Sequence, residues 1–329
     1  MRMFLPRYYD ILEGNNIAKY VLCKHVPVDF EYNDTLDELW VKHDNAVEEM
    51  RVEEKPPRLS LLDLKIEIAS RIFQSCIFCE RRCQVDRREK IGNCGVRESR
   101  VASEFLHIGE EYMLIPSYTV FFSGCPFHCV FCQNWDISQN PKAGVYIQPE
   151  RLAEMIKHRF ESGAKNVNWV GGDPIPNLPY ILRVLKLCDV NIPQIWNSNM
   201  YCSVETMKLL NGVIDLYLTD FKYGRDECAK RLSLVDNYMK VVRRNHKIAY
   251  MQGEMIIRHL VLPNHVECCT KPVLEWIKEN TPYAIVNIMP QYRPEFRAHK
   301  YDDISTTLEP EEFNEAVEYA RKLGLNLVE

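Results

Sequence analysis

The sequence predicts an α/β fold, an open (β/α)6 partial barrel preceded by an N-terminal helical and cysteine-rich extension. Three observations lead there. From Ser117 onwards, short apolar runs alternate with amphipathic stretches, the pattern of right-handed βαβ units around a parallel sheet. Six such repeats are too few to close an eight-fold barrel, so the sheet is expected to stay open. Two dense cysteine groups flank the first of the apolar runs, Cys76, Cys79, Cys83 and Cys94 ahead of it and Cys125, Cys129 and Cys132 just after.

Composition sets the outer limits. A chain of 329 residues with 46% hydrophobic content is long enough for one large domain with an appendage. No apolar run approaches the ~20 residues of a membrane span, and the start, MRMFLPRYYDILEGNN, lacks a signal peptide's apolar core. Thirteen cysteines in a chain expected to stay unexported lead to the expectation of a reducing cytoplasm and of metal or redox use rather than disulfides. The net charge of −5 gives no reason to expect nucleic acid, and no membrane partner is expected either. The expected division is a helical extension over 1–70, a metal knuckle over 71–100 and a barrel domain over 101–329.

In the extension, Thr35–Met50 reads as a helix, with Leu36, Leu39, Trp40, His43 and Val47 on one face and a Thr35–Glu38 capping box. Pro56 and Pro57 break the chain, and Ser60 caps a second helix through about Phe73. Both are read as packing helices, and His25 and His43 as surface or core residues. The segment CIFCERRCQVDRREKIGNC follows. Its four cysteines read as a compact all-sulfur site for zinc, a single iron or an auxiliary iron–sulfur cluster. Arg81, Arg82, Arg87 and Arg88 either offset that site's negative charge or form a solvated basic face.

The expected strands are Tyr118–Phe122, Val167–Val170, Gln194–Trp196, Leu216–Leu218, Met255–Val261 and Ala284–Ile288, with a short terminal strand over Leu325–Val328. Helical patterns between and after them are Pro149–Glu161, Leu178–Leu187, Val204–Leu210, Glu227–Leu234, Lys271–Glu279 and Glu311–Leu323. Barrel chemistry sits at the C-terminal ends of strands, and polar groups follow each run. They are Gly171, Gly172 and Asp173, then Asn197, then Asp220 and Lys222, then Arg258 with His259. Arg258 is an apt carboxylate or phosphate anchor. Neighbours on a strand face opposite ways, so only one of Arg258 and His259 lines the lumen. His299 is a further candidate for the rim, and Cys23, Cys188, Cys202, Cys228, Cys268 and Cys269, with no ligand spacing, are read as packing residues.

After the first strand comes FFSGCPFHCVFCQ. Three thiols on one loop can grip a corner of an iron–sulfur cubane, and the missing fourth ligand leaves a position for something that reacts. A zinc knuckle or three buried thiols are the plainer alternatives. His128, next to Cys129, is poorly placed to close the same site.

Cys125-x3-Cys129-x-Phe131-Cys132 resembles the signature of the radical S-adenosylmethionine (SAM) superfamily. The resemblance implies a [4Fe-4S] cluster on the three cysteines, with SAM chelating its fourth iron. Gly171-Gly172-Asp173-Pro174 is similar to the family's Gly-Gly-Glu-Pro segment, which binds the SAM amino group, with Asp in place of Glu. Asn197, Asp220 and Lys222 resemble positions that meet the SAM carboxylate and ribose, or a monovalent cation, in glycyl-radical activases. From Cys76 to Val328 the chain resembles a subgroup related to pyruvate formate-lyase activating enzyme, down to RHLVLPNH and QYRP. The implied chemistry is reductive cleavage of SAM to methionine and a 5′-deoxyadenosyl radical, under anaerobic conditions, with a flavodoxin- or ferredoxin-like electron donor. The radical then takes hydrogen from a protein or peptide substrate, including a glycyl-radical enzyme, or from a small metabolite. A non-catalytic iron–sulfur or zinc protein is the alternative of another class; it has no use for a SAM pocket.

Overall fold

The computed structural model describes residues 2–328. Its centre is a single eight-stranded sheet whose strands lie in sequence order, β1 Val101–His107, β2 Ser117–Phe122, β3 Asn166–Gly171, β4 Gln194–Ser198, β5 Leu216–Asp220, β6 Glu254–Leu260, β7 Ile285–Met289 and β8 Asn326–Leu327. From β2 to β8 every neighbour is parallel, and β1 is antiparallel to β2. The first and last strands do not pair, so the barrel is open. Helices lie between the parallel strands, α5 Trp135–Ser138 and α6 Pro149–Glu161 after β2, α7 Leu178–Leu187 after β3, and α8 Val204–Leu210 after β4. They continue with α9 Asp226–Ser233 and α10 Tyr238–Gln252 after β5, α11 Lys271–Asn280 after β6 and α12 Pro310–Lys322 after β7. Strands covered on both faces need apolar side chains on both, and SYTVFF and QIWNS are buried almost throughout.

Ahead of the sheet stand α1 Pro6–Leu12, α2 Lys19–Cys23, α3 Leu36–Glu49 and α4 Leu61–Gln74. The two expected helices form where their caps place them. Thr35 accepts from the Glu38 amide while the Glu38 carboxylate accepts from the Thr35 amide, and Ser60 and Asp63 repeat the arrangement, each cap contributing ~1 kcal/mol. These first residues are built into the barrel. Leu5 and Tyr8 join Met113, Leu114, Ile195, Leu216, Leu218, Ile256 and Ile285 in an apolar plug. The plug fills the lumen at the N-terminal ends of the strands. The Glu254 carboxylate accepts from the free first-turn amides of Arg7 and Tyr8, at 2.6 and 2.9 Å. Closing one end of the lumen leaves the other for a ligand. Among the described residues no helix is long and apolar enough to cross a membrane.

Candidate functional site

A cavity of about 700 Å³ opens at the C-terminal ends of the strands, within the ordinary size of small-ligand pockets. Each expected barrel-site residue lines it, namely Cys125, Cys129, Phe131 and Cys132 after β2, Gly171, Gly172 and Asp173 after β3, Asn197 on β4, Asp220 and Lys222 at β5, and Arg258 on β6. Residues far apart in sequence meet there because successive parallel strands end on one rim.

The loop after β2 holds its three thiols with defined partners. Cys125 Sγ accepts from the Phe127 amide at 3.3 Å and faces the Asn199 amide group at 3.7 Å. Cys129 Sγ lies 2.9 Å from the Ser233 hydroxyl, and Cys132 Sγ lies 3.2 Å from the Ser138 hydroxyl. Burial pushes the Cys129 thiol up to about 12, with the Cys132 thiolate adding to the effect and Lys222 opposing it. Such thiols ionise when a cation is there to share their charge. The three do not all lie within 4.8 Å of one another, too wide for a single ion held at about 2.3 Å. That spacing, with a soft all-sulfur donor set and no fourth ligand in the loop, fits the corner of an iron–sulfur cluster.

The glycines behind the loop serve backbone packing. A Cβ on Gly172 would lie 2.2 Å from the Gly124 carbonyl oxygen and 3.0 Å from Ser138 Cα. Gly171 has φ +131°, and a Cβ there would lie 2.1 Å from the Phe122 nitrogen. Bonds from the Gly172 amide to Phe122 O at 2.7 Å and from the Asp173 amide to Gly124 O at 3.0 Å fasten the segment to the cysteine loop. Close approach was expected from the sequence; the partner that comes close is the chain itself.

Asp173 is buried and fully engaged. Its carboxylate accepts from the Ile175 amide at 3.0 Å, the Ser198 hydroxyl at 3.1 Å and the Asn199 amide at 3.0 Å. Burial raises its pKa to about 7 despite those bonds. The side chain therefore ties the end of β3 to the end of β4, and its place at the rim is set by that tie. Lys222 reaches the Asp220 carboxylate at 2.7 Å, and its own amide donates to the Tyr238 hydroxyl at 2.8 Å. Asp220 first, then the cysteine thiolates, raise the Lys222 pKa against the opposing effect of burial. A protonated amine therefore faces the cluster loop.

Arg258 points into the lumen and has internal partners. Its guanidinium donates to Glu111 at 2.8 and 2.6 Å and also pairs with Glu110. Asn287 donates to Glu111 at 2.8 Å, and Asn168 donates to Glu110 at 3.1 Å. His107, Glu110, Glu111 and Asn287 thus form a polar floor under the cavity that sequence reasoning missed. Glu110 and Glu111 carried one legible signal, an acidic pair in a loop directly ahead of a strand. His259 faces the other way, with its ring nitrogens on Phe221 O at 2.7 Å and the Thr270 hydroxyl at 2.9 Å. Burial lowers its pKa to about 4. His299 is exposed and outside the cavity, and His128 bridges Gln139 and Asn93 at 2.7 and 3.0 Å.

Cys76, Cys79, Cys83 and Cys94 gather in a compact segment, and no three of their thiols lie mutually within 4.8 Å. Burial first, and then the neighbouring thiolates, push the Cys79 thiol up. The segment packs directly on the cysteine loop. A Cβ on Gly124 (φ +85°) would lie 2.2 Å from Val96 Cγ2 and 2.9 Å from the Cys94 carbonyl, and Arg81 donates to Pro126 O at 3.1 Å. Of the four arginines here, Arg87 alone is buried, donating to Val96 O and Pro176 O at 2.8 Å each over the Phe73 ring. Arg82 and Arg88 pair with Glu205 and Asp86.

The Radical SAM superfamily profile matches residues 119–277, which carry all the rim residues from Cys125 to Arg258. An uncharacterized protein of Methanocaldococcus jannaschii is 46% identical over 341 residues, covering 99% of both chains. The pyruvate formate-lyase-activating enzyme of Staphylococcus epidermidis is 24% identical over 158 residues, 44% of this chain and 62% of that enzyme. Among solved structures, methylornithine synthase aligns over 97% of this chain and 84% of its own, with a TM-score of 0.46 and 15% identity.

Proposed function

The chain belongs to the radical SAM superfamily, and from that premise we propose that it cleaves SAM reductively to act on a protein or peptide. The observation that carries this reading is the convergence of Cys125, Cys129 and Cys132 with Gly171–Asp173, Asn197, Asp220 and Lys222 on one cavity. A [4Fe-4S] cluster bearing SAM would supply one-electron cleavage of the sulfonium there, the source of a hydrogen-abstracting radical.

The chain's own part is holding and shielding. Cys125, Cys129 and Cys132 would hold the cluster, and the donors from Phe127, Asn199, Ser233 and Ser138 around their sulfurs would tune its potential. Asp173 keeps the ends of β3 and β4 in register at the rim where the SAM amino group would be held. Asn197 and the Lys222 ammonium line the same cavity and would offer a donor and a cation to the SAM carboxylate and ribose. Phe131, buried and 5.8 Å from the Tyr292 ring, lines the cavity and would help exclude water from it. A flavodoxin- or ferredoxin-like protein supplies the electron. Cys76, Cys79, Cys83 and Cys94 form a second metal site, braced against the loop at Gly124, and the spacing of their thiols suits an auxiliary cluster better than a single zinc or iron ion.

The macromolecular substrate is supported by the relative whose name describes activation of another enzyme. A small metabolite is the second reading, favoured by a cavity of small-ligand size. Reduced enzyme and SAM incubated with a deuterated cell extract, split by ultrafiltration, distinguish them. Deuterium should enter 5′-deoxyadenosine from the retained macromolecular fraction. Transfer from the filtrate alone would replace this reading with the metabolite one.

A further inference from the structure

Away from the cavity, three cysteines converge that their spacing in sequence leaves unconnected. Cys228 lies on α9, and Cys268 and Cys269 lie on a π-helical turn, Val266–Thr270, that leads into α11. The Cys228 and Cys268 sulfurs are 4.0 Å apart and those of Cys268 and Cys269 are 3.8 Å apart. All three lie within 4.8 Å of one another, the one such trio of possible ligand atoms among the described residues. Thiolates held tetrahedrally at about 2.3 Å from an ion stand about 3.8 Å apart. Two of the trio's three edges match those of one coordination tetrahedron.

The local backbone explains how adjacent cysteines share a site. Neighbours on an α-helix diverge by about 100°, and the wider π turn, a geometry that recurs at functional sites, brings both sulfurs toward α9. The turn is packed closely, since a Cβ on Gly224 would lie 2.7 Å from the Cys268 carbonyl and 2.9 Å from that of Cys269. Cys269 is buried while Cys228 and Cys268 are half-buried, so an ion can enter from the surface. Arg231 lies near Cys228 and Arg225 near Cys268, two cations that offset part of the negative charge three thiolates would carry.

We propose that Cys228, Cys268 and Cys269 bind one thiophilic divalent ion of the zinc class through three thiolates, releasing the thiol protons on binding. Sulfur ligands select such ions over magnesium or calcium. The ion ties α9 to the turn ahead of α11. Ser233, at the end of α9, stands 2.5 Å from the Tyr223 hydroxyl and 2.9 Å from Cys129 Sγ. The brace therefore fixes a hydroxyl that touches a cysteine of the main loop. It differs from that loop, whose thiols stand too far apart for a single ion.

The test uses full-length protein with its iron reconstituted, then loaded with zinc and desalted. Cys228→Ser and Cys268→Ser should each carry about one zinc per chain less than the wild type, with iron unchanged. Zinc content equal to the wild type in both would overturn the proposal. Should a variant lose iron as well, the wild type decides through maleimide labelling mapped by mass spectrometry. Cys228 and Cys268 should be protected in zinc-loaded protein and become reactive on chelation. Equal labelling with and without chelator, or a Cys228–Cys268 disulfide in zinc-loaded protein, would also overturn it.

Discussion

Replacing Arg258 with methionine removes the cation that Glu110 and Glu111 share beneath the cavity. Glu111 is buried, and its carboxylate takes two bonds from Arg258, at 2.8 and 2.6 Å, and one from Asn287. Burial alone drives the Glu111 pKa up; the charge and hydrogen bonds of Arg258 more than reverse this and hold it below the usual value. Removing one partner from a buried pair costs about 3–5 kcal/mol. The loss should depend on pH with a definite sign. With Arg258 in place the folded pKa is depressed, so Glu111 contributes stability above its unfolded value of about 4.3 and loses it as the solution is acidified. Without Arg258, burial raises the folded pKa above the unfolded value, so stability is lost as pH rises through it. The gap between variant and wild type should therefore widen between about pH 5 and about pH 8. Glu111→Gln in the variant background should recover part of it. Urea unfolding at both pH values, with a parallel SAM titration, measures this. Unchanged stability together with lost SAM affinity would show that Arg258 is a ligand anchor and refute its role as a strut.

Gly172→Ala sets a Cβ 2.2 Å from the Gly124 carbonyl; overpacking and the strained Asp173–Gly124 bond should cost about 2–4 kcal/mol. Iron bound at the loop should fall with it, whereas normal stability and iron would mean that the segment yields. Ser233→Ala deletes the hydroxyl 2.9 Å from Cys129 and should lower the cluster potential by up to ~40 mV, one hydrogen bond of ~1 kcal/mol in a one-electron step. Potentiometric EPR showing no shift would remove Ser233 from that role. Lys222→Ala removes the cation beside Asp220 and should weaken SAM about ten- to hundred-fold, read by calorimetry on cluster-loaded protein; wild-type affinity would place the SAM carboxylate elsewhere on the rim.

The parallel strands β2 to β7 were legible because strands buried on both faces are mostly apolar, and the rim residues because each follows such a run. β1 was missed for the opposite reason. VASEFLH mixes charge with apolar residues, and as the antiparallel edge strand it is half exposed. α10 was missed because MKVVRRNHK reads as a basic surface, although Tyr238, Val241, Val242 and Ala249 pack inward. Glu111 takes its meaning from Arg258, 147 residues away, and no local pattern links them. Cys228 and Cys268 were read as packing residues on the same ground; 40 residues separate them, and only the meeting of α9 with a π turn brings them together.

The central claim is that Cys125, Cys129 and Cys132 hold the cluster that cleaves SAM. The most direct measurement is the yield of 5′-deoxyadenosine after anaerobic reconstitution, with dithionite as reductant and SAM added. Wild-type protein should form it, and Cys125→Ala should form none while keeping the metal bound at Cys76, Cys79, Cys83 and Cys94. Undiminished SAM cleavage by the Cys125→Ala protein would contradict the account.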